Sequence, residues 1–189
     1  MYADLYDFDK TVFNGETGTE FFLFCLKKQP HIAKFLPRQI LWAFRYYVLH
    51  NVTMEKFKEN LYCCVKELDA KKMIELFWQE NGNRINDWFI NRDKSVPCIV
   101  CSASPYWQIS PICEKLGVDI IIGTNLNPET AVITGKNCKG DEKLKFIEKY
   151  APGYKIRDAY TDNVDGGAPL LSLATRNRYK VSKGKITKI

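Results

Sequence analysis

Two aspartates two positions apart, Asp7 and Asp9, end a short apolar run that begins at Ala3. Paired carboxylates of this kind suit attack on a phosphate ester, provided that three needs are met. The ester's negative charge must be neutralised, a nucleophile positioned and the leaving oxygen protonated. On an ideal strand, residues two apart share a face. At a strand end the chain turns, so one carboxyl can face phosphorus while the other faces the leaving oxygen. A neighbouring carboxylate and phosphate would raise the pKa of the second acid, as a general acid requires. Three later residues can supply the rest: Ser102 as a donor to a phosphate oxygen, Lys143 as a fixed positive charge and Asp162 as part of a metal site. Magnesium fits that site, because it prefers oxygen ligands and bridges carboxylates to phosphate oxygens. Thr11 is expected to hold the loop after Asp9 by hydrogen bonding and to stand among the phosphate-binding groups.

The elements that must position these residues follow from apolar spacing. Residues 3–8 form a short buried strand, broken by Asn14-Gly15. From Thr17 to about Asn91 apolar residues recur at three and four spacing, as in Phe21, Phe22, Cys25 and Leu26 or Met73, Ile74, Phe77 and Trp78, which predicts a helical block. Beyond it strands and helices alternate: strand 96–101, helix 106–116 closed by Gly117, strand 118–123, a hairpin over 126–136, helix 140–150, strand 156–161, helix 169–176 and a terminal hairpin over 179–189. Alternation of this kind implies an α/β fold, a Rossmann-like parallel sheet flanked by helices, here with an inserted α-helical cap. The core is expected over 1–12 and 92–189, and the cap over 13–91. Ligands in such sheets sit beyond the carboxyl ends of the strands. Asp7, Asp9, Ser102 and Asp162 all fall at those ends.

Taken singly, each signal has a plainer reading. Asp-Phe-Asp is a common turn or cap, Ser102-Ala103-Ser104-Pro105 a helix start, Lys143 a solvated helix lysine and Asp162-Asn163 a turn. Their order along the chain, each closing a strand or opening the next helix, favours chemistry.

Composition sets bounds. The chain has 189 residues, 46% of them hydrophobic, and a formal charge of +6. The basic residues are scattered, and no zinc-finger spacing points to nucleic acid. No apolar run reaches membrane-spanning length, and the acidic N-terminus does not resemble a secretory signal. Seven cysteines, an odd number, predict reduced thiols and a cytoplasmic setting. Cys98 and Cys101 lie three apart on a strand, so they should face opposite sides and serve as core residues rather than a dithiol. His31 and His50 pair with no nucleophile or metal cluster in the pattern.

These motifs resemble the haloacid dehalogenase superfamily of phosphatases, nearest to its phosphoserine-phosphatase-like branch with a helical cap, subfamily IB. Asp7-Phe8-Asp9-Lys10-Thr11 matches the first motif, D-x-D-x-T, and Cys101-Ser102-Ala103-Ser104-Pro105 the second. Gly140-Asp141-Glu142-Lys143 matches the third, and Tyr160-Thr161-Asp162-Asn163 with Pro169-Leu170-Leu171 the fourth. The resemblance implies that Asp7 forms an aspartyl-phosphate and that Asp9 serves as acid, then base. It also implies Mg2+ held by Asp7, the backbone carbonyl of Asp9 and Asp162. The fourth motif departs from the family: where a second aspartate is usual stand Gly166 and Gly167, leaving Asp165 as the available acid beside Asn163. Glu16 sits where phosphoserine phosphatases place an acid near the substrate amino group, or it caps the next helix. The segment Gln39–Leu49 is apolar nearly all round and is expected to pack as a buried cap helix. Its alternative is a lipid-facing helix, with a lipid phosphate rather than a small phosphorylated molecule as substrate. A phosphotransferase using the same intermediate and a degenerate phosphate-binding member are the rival classes.

Overall fold

Short runs rich in apolar residues make the first three strands, as buried parallel strands require, and more polar, alternating runs make the last three. In the computed structural model, which describes residues 1–189, they are β1 (Tyr2–Tyr6), β2 (Cys98–Pro105), β3 (Ile120–Thr124), β4 (Lys155–Thr161), β5 (Asn177–Ser182) and β6 (Lys185–Lys188). One six-stranded sheet results, in the order β3-β2-β1-β4-β5-β6. All neighbouring pairs are parallel except β5 with β6, an antiparallel hairpin turning at Lys183-Gly184. The first strand is therefore central, with Tyr6 opposite both Val100 of β2 and Tyr160 of β4. Asp7 leaves the sheet still tied to it, its N–H donating to the carbonyl of Tyr160 at 2.9 Å.

Helices cover both faces. Between β1 and β2 run α1 (Thr17–Lys28), α2 (Leu36–Tyr47), α3 (Met54–Leu61), α4 (Ala70–Asn81) and the short α5 (Asp87–Ile90). After β2 come α6 (Tyr106–Lys115), α7 (Glu142–Tyr150) and α8 (Ala168–Ser172). One apolar cluster joins Tyr6, Phe8, Val100 and Ile109 of the sheet side to Phe21, Phe77 and Trp78 of the inserted helices. A second cluster, with Leu5, Ile99, Ile147 and Leu170, fills the opposite face beneath α7 and α8. Cys98 belongs to the first and Cys101 to the second, as their three-residue spacing on a strand dictates.

The inserted segment is pinned where it leaves and rejoins the sheet. Asn14 N–H donates to Arg84 O at 3.0 Å, Asn86 N–H to Val12 O at 3.0 Å and Asn86 Nδ2 to Thr11 O at 2.7 Å. Arg84 also pairs with Glu20 and donates to Asn14 O at 2.6 Å. Entry and exit are thus hydrogen-bonded side by side, which fixes the block against the strand end that carries Asp7 and Asp9.

Three sequence expectations change. The hairpin over 126–136 is a single antiparallel bridge between Leu126 and Ile133. The side chain of Asn127 turns the chain locally, its Oδ1 accepting from Glu129 N–H at 2.8 Å and Thr130 N–H at 3.0 Å, so no strand pair extends. The helix expected over 169–176 is only 168–172, because β5 begins at Asn177. The buried helix expected near Gln39–Leu49 is α2, and Gln39 is its one buried residue. Ile40, Leu41, Phe44 and Tyr47 are exposed instead, while Trp42 and Tyr46 are half-buried.

Candidate active site

Four separate stretches of chain meet at the carboxyl ends of β1, β2 and β4. There Asp7, Asp9, Ser102, Lys143 and Asp162 line one cleft of about 220 Å³, together with Lys10, Glu16, Lys139, Asn163, Gly166 and Gly167. The sheet order explains the convergence: β1 lies between β2 and β4, so the ends of all three abut.

Asp7 is the first residue past β1. Its Oδ1 accepts from Phe8 N–H at 2.9 Å, and its Oδ2 faces Lys143 Nζ at 2.9 Å. Lys143, near the start of α7, is buried. Burial works against its charge, but the adjacent Asp7 carboxylate outweighs it and holds the ammonium above its usual range.

Asp9 is gripped from two sides. Thr17 donates to its Oδ1 through N–H at 2.7 Å and through the hydroxyl at 2.5 Å, while Ser104 Oγ donates to its Oδ2 at 2.5 Å. These bonds lower the pKa, yet burial raises it more, with the charge of Asp7 adding to the rise. A carboxyl lifted in this way beside a second carboxyl suits an acid next to a nucleophile. Lys10, with a left-handed φ of 56°, turns the chain sharply after Asp9. Such strain gathers at functional loops.

Ser102, buried in the second half of β2, which runs on past the expected end at Cys101 to Pro105, accepts from Ser104 N–H through its own oxygen at 3.0 Å and lines the cleft. Asp162 follows β4. Burial raises its pKa first, and the nearby Asp7 raises it further, while Lys10 pulls the other way. A carboxyl raised by a neighbouring carboxylate is one that a nearby positive charge would ionise.

Two expected groups stand elsewhere. Thr11 is fully buried and off the cleft wall: its carbonyl accepts from Asn86 Nδ2, and its hydroxyl finds no partner. Its carbonyl bond holds the loop from behind. Asp165 is exposed and likewise off the wall. Nor could an acid stand at Gly167, where a Cβ would lie 2.6 Å from the carbonyl oxygen of Asn163 and 2.5 Å from Thr161 Oγ1. The fourth motif therefore gives the wall one carboxylate, Asp162. Glu16 occupies the N-cap position of α1 without bonding the helix through its side chain. Asp9 takes the Thr17 N–H from outside, and Glu16 pairs with Lys10 over the cleft.

The donor set bears on magnesium. No group of three or more acidic, histidine or cysteine side chains forms a ready-made cation cage. Magnesium does not need one. It keeps several waters and is commonly held by one or two carboxylates together with substrate phosphate. Asp7 and Asp162 fit that demand.

Sequence reasoning missed Lys58 of α3. Its Nζ donates to Ala103 O at 2.6 Å and to Asn137 Oδ1 at 2.7 Å, tying an inserted helix to the Ser102–Ser104 stretch of β2. Thr124 Oγ1 donates to the same two acceptors, at 2.7 Å and 3.0 Å. Burial pushes the Lys58 ammonium down to about 8, against the pull of Asp9. Its one sequence signal was a shared helical stripe with Met54 and Leu61.

Comparison with known proteins bears on the fold and the family. Protein CicA of Caulobacter vibrioides is 28% identical over 127 residues, which cover 63% of this chain and 57% of that protein, so the match spans less than two thirds of the relative's length. A protein of unknown function from Bordetella pertussis Tohama I superposes with a TM-score of 0.74 at 18% identity, covering 93% of this chain and 87% of its own. A phosphoserine phosphatase captured as a phospho-aspartyl intermediate analogue superposes with a TM-score of 0.52 at 19% identity, covering 92% and 84%. The family model for haloacid dehalogenase-like hydrolases matches residues 5–164, and the chain belongs to that family.

Proposed function

We propose that the chain is a magnesium-dependent phosphomonoester hydrolase that works through an aspartyl-phosphate on Asp7. One observation carries this reading: Asp7, Asp9, Ser102, Lys143 and Asp162, drawn from four remote segments, line a single polar cleft. In the first step a carboxylate oxygen of Asp7 bonds to phosphorus and the ester P–O bond breaks. Asp9, whose raised pKa keeps a proton available, passes it to the leaving oxygen. Lys143 holds Asp7 in place and offers charge to the phosphoryl oxygens. Ser102 donates its hydroxyl hydrogen to another of those oxygens. Asp9, now a carboxylate, takes a proton from water as that water attacks phosphorus. The Asp7–phosphate bond breaks, and inorganic phosphate leaves. A magnesium ion held by Asp7, Asp162 and the backbone carbonyl of Asp9 would screen the phosphate's charge from the nucleophile.

Residues 13–91 serve in this reading as a cap over a core of 1–12 and 92–189. Glu16 is the cap's acid at the cleft, but it already pairs with Lys10. A substrate ammonium would have to displace that lysine, which favours a phosphomonoester other than phosphoserine. The test is a panel of phosphomonoesters and a generic aryl phosphate, assayed with and without magnesium, on wild type and Asp7→Asn. Wild type should turn over at least one substrate only with the metal, and the variant should lose about 10⁴-fold or more in kcat. Comparable turnover by the two proteins would overturn the assignment.

A further inference from the structure

Helix α2 is built inside out. Its polar residue Gln39 is buried, with Nε2 donating to Leu61 O at 2.6 Å. Ile40, Leu41, Phe44, Tyr47 and Val48, at 65%, 54%, 49%, 63% and 58% exposure, share the outward face, and Leu49 continues it at 51%. At 100° per residue these positions fall within one apolar stripe, with Arg38 and Arg45 together along one flank. A contiguous apolar patch of this kind on a protein surface marks a contact with something else.

Charge names the partner. From Phe21 to Met54 the chain has no acidic residue, while Lys27, Lys28, Lys34, Arg38 and Arg45 lie within it. Lys28 and Lys34 meet Glu80 and Glu67 at exposed sites, and Arg38 and Arg45 bond only neutral asparagines, Asn60 and Asn51. Beside Arg38, a hollow of about 300 Å³ is lined by Lys56 and Lys66 with Trp42. Its one acid, Glu59, is already taken by Lys56 Nζ at 2.8 Å and Ile133 N–H at 3.1 Å. An apolar stripe flanked by uncompensated cations and aromatic rings is the pattern of a helix lying in the plane of an anionic bilayer surface. A second copy of the same face would bring like charges together. No helix is long and apolar enough to cross a membrane, so the contact is with the surface alone.

We propose that the outward face of α2 docks on an anionic lipid surface, with the apolar stripe at the acyl boundary and Arg38 and Arg45 at headgroup level. The other side of the neighbouring helix α3 sends Lys58 to the cleft wall, so a docked molecule holds its active site one helix away from the lipid. The test is co-sedimentation of the whole chain with vesicles of phosphatidylcholine alone and of phosphatidylcholine with phosphatidylglycerol in equal parts. The protein should sediment with the mixed vesicles, far less with the neutral ones, and less again in raised salt. Ile40→Asp with Phe44→Asp, both on exposed positions, should keep the far-ultraviolet spectrum and melting temperature and lose binding on the order of tenfold or more. Failure of the wild type to prefer anionic vesicles would overturn the proposal without reference to any variant. So would undiminished binding by a folded double variant. Sedimentation velocity showing a dimer that the same substitutions split would do so as well, by assigning the face to a second copy.

Discussion

The cleft and the outer face of α2 obey opposite rules. At the cleft, charged groups are drawn inward: Lys143 is buried, and Asp9 and Asp162 carry pKa values raised first by burial. On α2 the apolar groups are turned outward and Gln39 inward. Burying charge and exposing large apolar side chains both work against folding stability. A chain keeps such features where binding or chemistry uses them, and in this fold the two lie on either side of α3. The neighbourhood of α1 and α4 follows the ordinary rule, with Phe21, Phe77 and Trp78 buried together.

The strongest way to break that contrast is at Lys143. If its buried charge serves the phosphate, Lys143→Met should lower kcat for an aryl phosphate by about 10²–10³-fold, the scale of losing one preorganised charge-stabilising group. Steady-state kinetics on a variant whose circular dichroism matches wild type would show it. A change confined to thermal stability would make Lys143 only a structural partner of Asp7.

Lys58 lies at the joint between the two regions, and its effect should be smaller. Lys58→Met leaves Ala103 O and Asn137 Oδ1 within reach of the Thr124 hydroxyl, whose one proton serves one of them, so the fold should hold while the Ser102–Ser104 stretch of β2 loosens. A loss of about tenfold in kcat/KM is expected, in line with a positioning contact. The sign of the pH effect follows from its depressed pKa. Between about 8 and the ordinary 10.5 the unfolded chain binds more protons at this site than the folded one. Stability therefore gains from Lys58 as pH rises through that window, and below it the buried charge is a full cost. Wild type should gain on Lys58→Met by up to about 3 kcal/mol from the lower to the upper end, measured by urea denaturation. A constant difference would place Lys58 in solvent.

Particular residues show where the sequence was enough. The apolar stretches Ala3–Phe8 and Cys98–Cys101 and the alternation around Ile156 and Ala159 were enough to find β1, β2 and β4, and with them Asp7 and Asp162 just past β1 and β4 and Ser102 within β2. Gly117, with φ +67°, stops α6 as a left-handed cap should. The misreadings have physical causes. Periodicity reveals that a helix has faces but not which one is inward, and α2 reverses the usual choice. A side-chain turn at Asn127 replaced a hairpin. Thr11 keeps its place in the motif, yet the tight turn after Phe8, whose carbonyl receives the Thr11, Val12 and Phe13 N–H groups, carries it behind the wall. Lys58 shares a stripe with Met54 and Leu61, which marks it at most as inward-facing, and only the fold brings Ala103 to it.

Asp165 gives the finest discrimination, since it belongs to the core by sequence and to the outward class by placement. The Gly166 N–H donates to Asn163 Oδ1 at 3.0 Å and the Gly167 N–H to Asn163 O at 2.7 Å, which holds this turn closed with Asp165 on its outside. For Asp165 to reach the metal site that turn would have to open, losing both bonds. Asp165→Ala should therefore leave the magnesium concentration for half-maximal activity within about twofold of wild type, well under the 1.4 kcal/mol that a tenfold change represents. Asp162→Ala, measured in the same titration, should raise it steeply. A requirement that rises as much for Asp165→Ala would mean that the turn opens in the working enzyme, and that an outward side chain in this core can still be a ligand.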